Sequence, residues 1–134
     1  MRMTNIDWGG ALSTFGKKYG WNGKKINKIF EYSTFSISID MIVKVFNMEI
    51  PNYIKIDVDG IEHLILNGGN LTLQHVDSIL IEINDNFIEQ SEKAKKLLET
   101  FGFKLYKKTH GKMIDDFKGF EKTFNQIWVK NDSK

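Results

Sequence analysis

The 134-residue chain contains no cysteine, one proline, one arginine and no long apolar run. Without cysteine there can be no disulfide, no thiolate metal site and no cysteine nucleophile. Arginine supplies the planar fork that binds phosphate and guanine, yet Arg2 stands beside 18 lysines and the net charge is only +2. No run approaches the roughly 18 apolar residues of a membrane span. The composition therefore argues against nucleic-acid and membrane partners.

The start of the chain also lacks the apolar core of a signal peptide, which predicts a soluble, cytoplasmic protein. What is present is typical of a folded domain, since 41% of the residues are apolar and 27% are charged. The length is slightly below that of one typical domain, so we expect no second full domain.

The first 32 residues differ in composition from the rest of the chain. Glycine and lysine are frequent there and lower both helix and strand propensity, so residues 1–32 are predicted to form an irregular arm. Its lysines are interpreted as a solvated surface rather than an anion site. The aromatic residues from Trp8 to Trp21 would allow the arm to cover an exposed sheet edge.

Residues 33–134 alternate strand-like and helix-like patterns. The predicted strands are 52–58, 78–83, 103–107 and 124–129, and residues 33–37 are predicted to form a short strand or an extended entry. The predicted helices are 40–48, 61–67 and 91–101. This order predicts an α/β sandwich with a mostly parallel sheet and an antiparallel C-terminal edge. In such sheets, ligands bind beyond the carboxyl ends of the strands.

Acidic residues gather at the carboxyl end of the first strong strand. Lys55, Asp57 and Asp59 alternate onto one side of the strand, and Glu62 opens the next helix. Such a cluster can bind a divalent cation, orient a substrate hydroxyl or act as a general base. It can equally cap the turn and the helix start, and spacing alone leaves both interpretations open.

Glu82 interrupts the otherwise apolar strand 78–83. A buried charge needs a partner, so Glu82 is predicted to be a site residue, with a solvent-facing edge position as the alternative. The three histidines, His63, His75 and His110, show no metal-ligand spacing and are predicted to lie on helix surfaces or loops. The sequence contains neither a serine-hydrolase elbow nor a nucleotide-binding glycine loop.

The segment Tyr-Ile-Lys-Ile-Asp-Val-Asp-Gly-Ile-Glu from Tyr53 to Glu62, continuing to Asn-Gly-Gly, resembles the signature of FkbM-family methyltransferases. That signature reads hydrophobic-hydrophobic-Lys-hydrophobic-Asp-hydrophobic-Glu-Gly-x-Glu, followed by a short helix ending in Lys-Gly-Ala. Three further elements are similar and occur in the same order: Ser-Ile-Asp before a helix, Ile-Leu-Ile-Glu at the next strand, and Phe-Gly-Phe before the following one. The resemblance covers roughly residues 36–107.

The resemblance implies a Rossmann-like class I fold that transfers a methyl group from S-adenosylmethionine to a hydroxyl of a sugar or natural product. It implies catalytic roles for Asp57, Asp59, Glu62 and Glu82, and cofactor contacts for Lys55 and Asp57. Asp57 or Asp59 would orient the small-molecule or glycan acceptor, and Lys55 would offset local negative charge. A metal requirement stays open.

The sequence departs from the family pattern in two places. Asp59 stands where the family usually has Glu, and the Asp-x-Gly-Ala-Asn-x-Gly loop that holds the cofactor is missing. We therefore expect the C-terminal part of the fold, in a short or truncated form, with a complementing N-terminal half or a homo-oligomer as partner. The alternative is a non-catalytic α/β domain that binds a partner chain, a metal or a small anion.

Overall fold

A computed structural model describes residues 1–7, 11–110 and 119–130. In chain order the elements are β1 (Arg2–Met3), β2 (Phe30–Glu31), α1 (Ile39–Val45), β3 (Tyr53–Ile56), α2 (Glu62–Asn67), a 3₁₀ turn (Thr72–Gln74), β4 (Ser78–Asn84), α3 (Ile88–Thr100), β5 (Phe103–Thr109) and β6 (Thr123–Lys130). Strands β1 and β2 pair with each other, and the other four strands form one sheet.

The main sheet has the strand order β3-β4-β6-β5. The predicted parallel crossover is present: β3 and β4 pair in parallel, and α2 lies between them in the sequence. The prediction of a mostly parallel sheet is wrong for the described residues, because β4–β6 and β6–β5 are both antiparallel. The last two strands pair antiparallel as predicted. However, β6 lies between β4 and β5, so of these two strands only β5 is at an edge of the sheet.

The core lies where the central strands meet α2 and α3. Helix α3 is amphipathic, and its residues Ala94 and Leu98, four apart, are both buried. Strand β4 buries alternate residues, as a strand with one face on a helix layer does. The core cluster consists of Ile56, Leu66, Leu73, Val76, Ile79, Ile81, Ile83, Ala94, Leu98, Phe103 and Trp128.

Of the two alternatives predicted for residues 33–37, the short strand is wrong, because these residues form no strand; they are exposed, and Phe35 is 94% exposed. A strand needs a hydrogen-bonded neighbour, and β3 already ends the described sheet without pairing to this segment. The following helix α1 has no buried residue. It is attached through Asp40, which accepts hydrogen bonds from the backbone N–H of Leu71 (3.0 Å) and of Thr72 (2.8 Å).

The arm contains little regular structure. Beyond β1 and β2, isolated bridges join Arg2 to Thr14 and Tyr19 to Lys25. Trp8 lies outside the described residues, as does part of the connection between β5 and β6, residues 111–118. No helix in the described ranges is both long and apolar enough to cross a membrane.

Candidate functional site

The parallel pairing of β3 and β4 brings the ends of both strands to one edge of the sheet, here called the carboxylate edge. The register pairs Ile56 with Ile81, so Asp57, which follows β3, lies beside Glu82, which is within β4. Lys55 Nζ and Asp57 Oδ2 are 2.8 Å apart and both side chains are about half exposed. The predicted alternation of these two residues onto one side is confirmed.

Glu62 is the most deeply buried of the predicted site residues, at 2% exposure. Its Oε1 accepts backbone N–H bonds from Val58 (3.3 Å) and Gly60 (3.4 Å), and its Oε2 accepts a hydrogen bond from the side-chain amide of Gln90. Burial raises the pKa of Glu62 to about 7, although these donors act in the opposite direction. The Glu62 side chain therefore stabilises the turn between β3 and α2 by accepting hydrogen bonds from its backbone.

Gln90 was not identified from the sequence. It is 2% exposed on α3, and its Oε1 accepts the backbone N–H of Asn84 at 2.9 Å. One side-chain amide thus connects the end of β4 to Glu62. The prediction began this helix at residue 91, so Gln90 was not recognised as the polar member of the buried stripe that continues with Ala94.

Glu82 lies on β4, an interior strand, so the alternative of a solvent-facing edge position is wrong. Its side chain is half-buried. Burial raises the pKa of Glu82, the charges of Asp57 and Asp59 raise it further, and Lys55 opposes them. Glu82 therefore interacts electrostatically with Asp57, Asp59 and Lys55.

Asp59 connects the carboxylate edge to the arm. Burial raises the pKa of Asp59, and hydrogen bonding by the backbone amides of Leu12 and Ser13 offsets part of that effect. Leu12 has a φ of 65°, in the left-handed region that non-glycine residues seldom occupy. The arm therefore reaches the acidic cluster through its backbone.

A small cavity lies at the centre of the carboxylate edge. It is lined by Trp21, Gly60, Glu62, Glu82, Asn84, Gln90 and Thr123. The volume is about 10 Å³, which is room for about one water molecule. The hydroxyl of Thr123 is buried and has no hydrogen-bond partner in the described protein.

The surface position predicted for the histidines is wrong for His63. This residue is 2% exposed and its ring packs edge-on against Phe87, with centroids 6.1 Å apart. Burial lowers its pKa. His75 and His110 are exposed, as predicted. Across the described ranges, no group of three or more His, Cys, Asp or Glu side chains is arranged to hold a metal ion.

Comparison with known proteins identifies one family. The family model described as Methyltransferase FkbM domain matches residues 4–118, a wider span than the motifs cover and one that includes most of the arm. Comparisons with curated proteins and with solved structures give no match. Because the family match extends over most of the sequence, the chain belongs to the FkbM methyltransferase domain family.

Proposed function

We propose that the chain supplies the acceptor side of an O-methyl transfer from S-adenosylmethionine to a hydroxyl of a sugar or natural product. The family supports methyl transfer in general. The observation that carries the finer proposal is the half-buried Glu82 near the carboxyl end of β4, which the parallel register places beside Asp57. Its position matches the place where α/β sheets bind their ligands.

In this proposal, Glu82 accepts the proton of the hydroxyl acceptor. Burial and two neighbouring negative charges raise its pKa, which makes its carboxylate a stronger base than an ordinary one. Asp57 and Asp59 accept hydrogen bonds that orient the hydroxyl, and Lys55 balances the negative charge through its contact with Asp57. Glu62 positions the turn between β3 and α2 and does not touch the acceptor.

The described residues do not fit the cofactor itself. The cavity of about 10 Å³ at the carboxylate edge is far too small for S-adenosylmethionine. A larger groove of about 450 Å³, between the arm and α2, is mainly apolar and has Lys17 but no carboxylate in its wall, which does not suit a sulfonium cation. We therefore assign cofactor binding to a partner, a complementing polypeptide that carries the glycine loop, with a second copy of the chain as the alternative.

The test is methyl transfer to a panel of hydroxyl compounds, with labelled S-adenosylmethionine and with the complementing polypeptide present. Glu82→Gln is expected to lower the rate about 10²- to 10⁴-fold, because it removes the base and leaves the shape. Glu92→Gln, an exposed exchange of the same type on α3, is the matched control and keeps the rate. Full activity of Glu82→Gln, or methylation only at nitrogen or carbon, contradicts the proposal.

A second candidate, a partner-binding module without catalysis, is favoured by the open surface around α1. Helix α1 buries none of its residues, and β3 leaves its outer edge unpaired in the described sheet. Light scattering distinguishes the two candidates. A defined oligomer combined with no transferase activity supports the binding module, whereas a strict monomer contradicts self-association.

A further inference from the structure

The arm crosses directly over the carboxylate edge. Gly60, in the turn after β3, has a φ of +97°, a conformation that favours glycine. A Cβ atom at this position would lie 2.6 Å from the carbonyl oxygen of Gly20 and 2.9 Å from the Cα of Trp21. The backbone of the arm therefore rests on the turn itself, in a contact that only a glycine at position 60 permits.

Three aromatic contacts hold the same part of the arm in place. The ring of Trp21 stacks on Phe120, with centroids 4.0 Å apart and planes 10° apart. Tyr19 meets Phe87 edge-on at 5.2 Å. A Cβ on Gly23 would lie 2.7 Å from the Phe87 ring, so the arm also packs closely there. These contacts anchor residues 19–23 on both sides of the cavity.

We infer that residues 19–23 form a gate over the carboxylate edge, and that Trp21 decides whether a ligand reaches Glu62 and Glu82. Trp21 lines a cavity with space for about one water, and its backbone rests on Gly60 beside that cavity, so a larger ligand has to displace this part of the arm. Gly16, at positive φ and with nothing within 4 Å of a Cβ built there, precedes the gate and provides a place where its backbone can turn. This inference concerns access to the carboxylates and stands whether or not they take part in methyl transfer.

Carboxyl labelling tests the gate without any activity assay. The full chain is treated with a water-soluble carbodiimide and glycinamide, and mass spectrometry reads the rate at each carboxylate relative to the exposed Glu92. In the wild type, Glu82 and Glu62 are expected to react slowly. A gate that is open about 10% of the time or less slows labelling of a fully covered group about tenfold or more. Glu82 is half-buried, so Trp21→Ala is expected to speed its labelling by up to about that factor.

A glycine pair separates loss of the gate from backbone strain. Gly60→Ala places a Cβ against the arm, whereas Gly102→Ala carries a similar strain at φ +83° with nothing within 4 Å. Only the first is expected to speed the labelling of Glu82. Phe35→Ala, which removes a 94% exposed ring, controls for loss of an aromatic residue and is expected to change nothing.

Two results would overturn the inference. One is wild-type Glu82 reacting as fast as Glu92. The other is slow Glu82 labelling that persists in both Trp21→Ala and Gly60→Ala while far-UV circular dichroism shows both variants folded. If either variant loses its fold, Phe120→Leu replaces it, because this change removes the ring on which Trp21 stacks and keeps an apolar contact. Unchanged Glu82 labelling in Phe120→Leu would also reject the gate.

Discussion

The carboxylate edge and the exposed face of α1 differ in what covers them. At the edge, the arm closes over acidic side chains, and Glu62 is 2% exposed. On the α1 face, apolar side chains remain in contact with water, including Val45 at 62% and Phe46 at 67% exposure. The usual distribution of polar and apolar residues is reversed between these regions.

The difference shows that burial follows the available packing partner rather than residue type. Glu62 is buried because two backbone N–H groups and Gln90 satisfy its oxygens. Val45 is exposed because α1 packs on no strand, since β3 ends the described sheet. An exposed apolar face of this kind is typical of an interaction surface.

The largest expected effect is on the free energy of unfolding, when one apolar side chain is shortened in the buried sheet and another on the exposed face of α1. Ile81→Ala, at a fully buried position of β4, is expected to lower the free energy of unfolding by about 2–5 kcal/mol. Val45→Ala on α1 is expected to change it by less than about 0.5 kcal/mol. Urea unfolding of both variants measures the difference. A large loss in Val45→Ala would mean that a second molecule covers the α1 face in solution.

The next effect concerns pH and the carboxylate edge. Burial raises the pKa of Glu62 from 4.5 to about 7, so the folded state holds a proton that the unfolded state has already released between these values. The free energy of unfolding should therefore fall as pH rises from about 4.5 to 7, by at most about 3–4 kcal/mol from this group.

Unfolding at pH 5 and pH 8 checks this sign. Glu62→Gln cannot ionise, so it is expected to lack this part of the pH dependence, while Glu92→Gln keeps the wild-type profile. A Glu62→Gln variant with an unchanged pH profile would show that Glu62 has an ordinary pKa and that the edge is open to water.

A smaller effect is expected where α1 joins the rest of the protein. Asp40→Ala removes the acceptor of two backbone N–H groups and of the Thr72 hydroxyl (2.7 Å), and is expected to cost about 1–2 kcal/mol. Hydrogen exchange should show faster opening of α1 and of the 3₁₀ turn only. Faster exchange along β4 as well would mean that α1 supports the sheet, contrary to the comparison above.

Much of the element order was predictable because its signals are local. The nearly continuous apolar run in 78–83, the helical spacing of apolar residues in 91–101 and the glycine after it predicted β4 and α3 to within a few residues. The motif from Tyr53 to Glu62 likewise indicated the family, which the wider match confirms. The candidate site was predicted in the same way. Lys55, Asp57, Asp59 and Glu82 were proposed from their strand positions, and Glu62 from its place at a helix start.

The errors all concern contacts between distant residues. The insertion of β6 between β4 and β5 makes the described sheet mainly antiparallel, and no local periodicity reports which strand becomes a neighbour. His63 and Gln90 are buried because Phe87 and Glu62 lie across from them in space. Residues 33–37 have strand propensity but no strand to pair with.

The sequence by itself determined the family, the kinds of elements and the acidic residues that follow two neighbouring strands, since each depends on the order of residues along the chain. Only the tertiary structure decided the strand pairing, the hydrogen bond from Gln90 to Glu62 and the position of residues 19–23 over the carboxylate edge. These depend on hydrogen bonds and packing between segments far apart in sequence, such as Trp21 and Phe120, where Gly60 leaves just enough room for the arm.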